Sequence, residues 1–181
     1  MTGLYYIGIL PSQEVQETVL AIKQDLQRQF GLKHALKSPA HLTLQMPFRM
    51  NQKREKEIKY VLESSINNRS TFEVNINGWD HFDNRVIFLA VNQQKRLKKE
   101  FDHLQEILRS EFKLPEEKLT RKFHPHITIA HRDLIPVLYA QVWKYVQNIE
   151  FLSSFTVNNY SLLKHNGASW EVLCSICFPN N

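Results

Sequence analysis

The chain has 181 residues, 43% hydrophobic and 11% aromatic, which is enough for one domain with a real core and too apolar for a disordered chain. A formal charge of +5 suits a polyanionic partner such as RNA or a nucleotide, without singling one out. No apolar run approaches the roughly 18 residues that cross a bilayer, and the start MTGLYYIGILPSQ lacks the basic stretch and cleavage site of a signal peptide, so a cytoplasmic monomer is expected.

In chain order, the Tyr- and Ile-rich segment Leu4 to Leu10 reads as a strand. Pro11-Ser12 opens a helix with Ser12 as N-cap. Its stripe is Val15, Val19, Ile22, Leu26 and Phe30, and Gly31 stands at the C-cap. Leu42 to Phe48 alternates as a strand does. A helix over 53–67 follows, then strands near Phe72–Ile76 and Val86–Val91. The stripe Leu97, Phe101, Leu104 and Leu108 marks a third helix, facing a core rather than a partner. After a charged connection containing Pro115 come a strand at His126–Ala130 and a helix near 134–149. Strands near 151–157, 160–163 and 170–178 close the chain. This order indicates one mixed α and β domain over 1–181.

Two segments repeat. His41-Leu42-Thr43-Leu44 and His126-Ile127-Thr128-Ile129 lie 85 residues apart, each before a helix. Residues i and i+2 of a strand share a face. His41 and Thr43 therefore point together, with Leu42, Leu44 and Met46 turned to a core. His126 and Thr128 do the same above Ile127 and Ile129. Two imidazoles and two hydroxyls meeting in one cleft fit phosphodiester hydrolysis without a metal. One neutral ring takes a proton from water, and one protonated ring gives a proton to the leaving oxygen. The threonines would bind the phosphate oxygens. The competing reading of each strand is an ordinary amphipathic strand with its polar face in solvent.

The segments PAHLTLQMPF (39–48) and FHPHITIAHRD (123–133) resemble the signature strands of the two-histidine (2H) phosphoesterase superfamily. The likeness is greatest to its 2'-5' RNA ligase-like branch, which includes RNA 2',3'-cyclic phosphodiesterases. The resemblance implies an α+β fold of two pseudo-symmetric lobes, each an antiparallel sheet with helices packed outside, and a cleft between them. It implies that His41 and His126 are the catalytic acid and base, that Thr43 and Thr128 bind phosphate, and that no cofactor takes part. It further implies ring opening at the 3' oxygen to leave a 2'-phosphate. Family members often carry an arginine five residues past the second histidine. Here His131 holds that place and Arg132 follows, sharing the His126 face only if the strand continues so far. Reversible 2'-5' RNA ligation and a silent nucleotide-binding module stay open beside the hydrolase.

Further candidates for substrate contact are Lys37, ahead of the first motif, and Gln45, on the His41 face. Lys164 and His165 fall in a late loop, where ordinary solvation is the simpler reading. A metal site built on His124, His126 and His131 is disfavoured, because Pro125 intervenes and no acid stands nearby before Asp133. Cys174 and Cys177 are too few for a disulfide framework. In a strand, i and i+3 face opposite sides, so they read as buried structural thiols rather than a redox pair.

Overall fold

A computed structural model describes residues 1–120 and 122–179. Its elements are β1 (Thr2–Ile9), α1 (Gln13–Phe30), β2 (Leu42–Asn51), α2 (Glu55–Ser65), β3 (Phe72–Phe82), β4 (Val86–Val91), α3 (Gln94–Ser110), β5 (His126–Ala130), α4 (Pro136–Gln147), β6 (Leu152–Val157), β7 (Asn159–His165) and β8 (Trp170–Cys177). No helix among the described residues is long and apolar enough to cross a membrane.

Local chemistry explains the boundaries. Ser12 accepts from the Val15 amide to start α1, and Gly31 ends it at φ 75° with its amide on the Gln27 carbonyl. Val15, Val19, Ile22 and Leu26 are buried along one stripe, as their spacing requires. β3 runs well past Ile76, for two reasons. Gly78 at φ 73° absorbs a bulge, and Asp83 and Asn84, both at positive φ, turn the chain tightly into β4.

The strands form one sheet in the order β6-β3-β4-β5-β2-β1-β7-β8, with every neighbouring pair antiparallel. It divides into two four-stranded halves, β2-β1-β7-β8 and β5-β4-β3-β6, joined where β2 meets β5. That joint has a single ladder pair, Leu42 with Ile127. Each half contains a strand–helix–strand unit, β1-α1-β2 or β4-α3-β5, whose second strand bears the His-x-Thr motif. The units are interleaved, because α1 lies against β5 and α3 against β2. One continuous core accordingly spans both halves, from Ile7, Leu42 and Leu44 to Leu89, Ile127 and Ile129.

Two expectations need correction. Met46 is 54% exposed, not in the core. The β1–β2 register shifts on both sides of Gln45, which pairs with Ile7, so the alternation begun at Leu42 breaks there. Cys177 is exposed and Cys174 only half-buried, because β8 ends the sheet and leaves one side to solvent.

Candidate active site

Directly opposed residues of an antiparallel pair project to the same face. Leu42 and Ile127 are both fully buried on the core side. One step along the pair sets His41 across from Thr128 and Thr43 across from His126, all four on the other face and half-buried. The two histidines are then diagonal neighbours across the joint. The electrostatic influence of His126 on His41 agrees with this closeness.

Each ring is oriented in the same way. His41 Nδ1 donates to the Pro39 carbonyl at 2.8 Å, and His126 Nδ1 donates to the His124 carbonyl at 2.6 Å. A carbonyl can only accept, so Nδ1 carries the hydrogen, and Nε2 is the basic nitrogen of the neutral ring. Both rings thus use the carbonyl two residues upstream to fix one tautomer.

Aromatic side chains wall the rings. Tyr6 of β1 lies 4.6 Å from His41, centroid to centroid, and its hydroxyl is 2.9 Å from Ser38 Oγ. Phe88 of β4 and Phe82 at the end of β3 lie 4.8 and 5.2 Å from His126. Burial pushes the His41 imidazole down to about 4, against an upward pull from the Pro39 carbonyl. The positive charges of Lys23, His126 and His131 lower it further. Burial also lowers His126, with its carbonyl bond opposing. Both rings are therefore neutral in the empty cleft at pH 7, and an anion between them favours the imidazolium form.

The turn ahead of His41 is tied to α1. Gln16 grips Ala40 at both ends, donating to its carbonyl at 2.6 Å and accepting from its amide at 2.8 Å. Lys23 donates to the Ser38 carbonyl at 3.1 Å. Sequence reading missed Gln16, Lys23 and Tyr6, since they lie on α1 and β1 outside any motif. Phe82 was missed because β3 was expected to stop early.

The other candidates fall elsewhere. Gln45 does not share the cleft. It is fully buried, and its amide donates to the Met46 and Lys118 carbonyls and accepts from the Thr120 amide. The bulge that exposes Met46 also turns Gln45 away from His41. β5 ends at Ala130, so strand parity does not reach Arg132, which is exposed at φ 54°. His131 packs on His34 with ring centroids 4.8 Å apart, and burial pushes it down to about 4. Lys37 is exposed at the end of the 3-10 turn His34–Lys37. Lys164 and His165 end β7 rather than occupying a loop; Lys164 pairs with Glu55 at 2.8 Å.

Residues 11–169 match the sequence profile of the 2'-5' RNA ligase superfamily. The chain belongs to that superfamily. Among curated relatives of this 2'-5' RNA ligase superfamily member, a Geobacillus sp. (strain WCH70) protein named "Putative phosphoesterase" is 29% identical over 93% of this chain and 92% of its own. A Geobacillus thermodenitrificans (strain NG80-2) protein of the same name is 28% identical over the same shares. The fold is shared with TT0787 of Thermus thermophilus at TM-score 0.68 and 18% identity, over 97% of both chains. It is shared equally with E. coli LigT, solved with 3'-AMP, at TM-score 0.68 and 16% identity, over 99% of this chain and 100% of LigT.

Proposed function

We propose that this superfamily member is a metal-independent phosphodiesterase acting on 2',3'-cyclic or 2'-5' phosphodiester bonds of RNA or nucleotides, with His41 and His126 as its acid–base pair. The supporting observation is the diagonal placement of two imidazoles about the Leu42–Ile127 pair, each with its basic nitrogen fixed by a backbone carbonyl. That E. coli LigT has been solved with 3'-AMP fits a nucleotide in the corresponding cleft.

The reaction needs two proton transfers and a holder for negative charge. His126 Nε2 takes a proton from water as the water oxygen bonds to phosphorus. The bond from phosphorus to the 3' oxygen breaks, and that oxygen receives the proton of His41 Nε2. The products are a 3'-hydroxyl and a 2'-phosphate, with the proton now on His126; exchange with solvent resets the pair. Each transfer is worth about 10²–10⁴-fold. Thr43 and Thr128 donate to the non-bridging oxygens as charge gathers on them. Arg132 and Lys37, both exposed, would serve as further cations for an RNA strand leaving the cleft.

The test is release of 2'-phosphate from a 2',3'-cyclic nucleotide with EDTA present. Turnover should persist in the chelator and fall at least about 100-fold in His41→Ala and in His126→Ala. Nucleotide binding without turnover would reject the enzyme in favour of a binding module, and turnover abolished by EDTA would reject the metal-free route. Supplying RNA ends that carry a 2',3'-cyclic phosphate together with 5'-hydroxyl ends reveals any 2'-5' joining, in which the 5' oxygen bonds to phosphorus as the bond to the 3' oxygen breaks.

A further inference from the structure

Beside the turn ahead of His41, between α1 and the start of β8, lies a cavity of about 310 Å³. Its walls include Lys23 from α1, Lys37 and Ser38 from the turn, and Trp170 at the start of β8. It shares Ser38 and Pro39 with the residues that orient His41, whose Nδ1 faces the Pro39 carbonyl. Cavity and cleft are thus neighbours on opposite sides of one short turn.

Lys23 is the unusual member. It is 4% exposed, and its one hydrogen bond among the described residues goes to the Ser38 carbonyl, although an ammonium has three donors. The acid on the same wall, Glu17, accepts from Gln13 instead. A buried ammonium without a counter-charge is costly unless an anion comes to it. Burial lowers Lys23 to about 8, which leaves it mainly protonated at pH 7. Lys37 adds a second cation, and Trp170 gives the cavity a flat apolar wall.

We propose that this cavity is a second anion subsite, which takes the 5'-phosphate of the nucleotide whose reacting phosphodiester lies between His41 and His126. The proposal rests on the phosphodiesterase reading above and gives that site its preference: a nucleotide continued by an RNA chain over a bare nucleoside cyclic phosphate. Lys23 and Lys37 hold the phosphate, and Trp170 lies beside the ribose.

Calorimetric titration of the full chain with adenosine 2'-phosphate and adenosine 2',5'-bisphosphate tests it. A phosphate bonded to a buried ammonium should make the bisphosphate bind about tenfold tighter to the wild type. That advantage should vanish in Lys23→Met. It should vanish also in Leu20→Trp, which fills the cavity from an exposed helix position and leaves the lysine charge in place. Equal affinities in the wild type would overturn the subsite and leave the phosphodiesterase reading standing. An advantage lost in Lys23→Met but kept in Leu20→Trp would also overturn it, since the charge would then act from outside the cavity. Failure of both nucleotides to bind would overturn the subsite, and absence of turnover on a 2',3'-cyclic nucleotide, measured in parallel, would remove the phosphodiesterase reading itself.

Discussion

Both candidate catalytic rings are half-buried in the empty cleft, and the resulting loss of basicity has a measurable sign. His41 stands at about 4, below an ordinary imidazole, because burial disfavours its charged form. An oxyanion bound at Nε2 favours that charged form, so binding takes up a proton. Affinity for sulfate, whose own charge is constant over the range, should therefore rise as pH falls from 7 towards 5, by up to about tenfold per unit for each proton taken up. Calorimetry in buffers of different ionisation enthalpy counts the protons. His41→Ala and His126→Ala should each flatten the slope, and a wild-type affinity independent of pH would refute the account. That His41 and Thr43, and likewise His126 and Thr128, share a face was legible in the sequence because a two-residue alternation fixes which side chains point together. Gln45 was misread on the same rule. Its parity depends on an unbroken strand, and the register shift around it is a backbone event that no residue in QMPF announces.

At the level of elements, α1 acts on the site without entering it. Two bonds from Gln16 and one from Lys23 hold residues 38–40, and Pro39 in turn holds His41. Gln16→Ala should lower stability by about 1–2 kcal/mol, since two backbone groups of Ala40 lose their partner. It should reduce kcat more than it alters KM, because the ring is no longer held in one orientation. Chemical denaturation and steady-state kinetics read the two effects. The loop ahead of β5 depends likewise on Gln45 and on Gln105 of α3. Gln105 donates to the Leu44 carbonyl at 2.9 Å and accepts from the Thr120 amide at 3.0 Å. Gln45→Leu should cost about 1–3 kcal/mol through the unpaired Lys118 carbonyl, while the Thr120 amide keeps Gln105 as its acceptor. KM should change little, whereas a large rise in KM with unchanged stability would return Gln45 to substrate contact. The helices and the order of strands could be read from periodicity. The pairing of α1 with β5, and of α3 with β2, could not. Those contacts join residues about a hundred positions apart for α1 and β5 and about sixty for α3 and β2, and periodicity speaks only of neighbours along the chain.

For the whole molecule, the repeat of two motifs becomes a relation between two halves of one sheet. The expected lobes correspond to β2-β1-β7-β8 and β5-β4-β3-β6, but they share a core and exchange helices. Gly8 of β1 shows how closely β1 packs on the strand that carries the joint. A methyl group added there would lie 2.7 Å from the Leu42 carbonyl oxygen, inside any real contact distance. Gly8→Ala should thus shift β2 at the residue that meets Ile127, lowering stability by about 1–3 kcal/mol and turnover with it. Thermal melting and the cyclic nucleotide assay measure both. A variant with wild-type melting and rate would show that the strand gives way freely.

The joint at Leu42 and Ile127 is one rung wide. A hydrogen-bonded seam of many rungs would lock the angle between the halves, whereas a single rung leaves it to whatever presses from behind. The gap between the two imidazoles is therefore set like the opening of a pair of tongs, by a pivot and by the helices that cross behind it. On the proposed reading, a phosphate touching both jaws would close the grip from the front, completing a clasp that the polypeptide leaves one rung short.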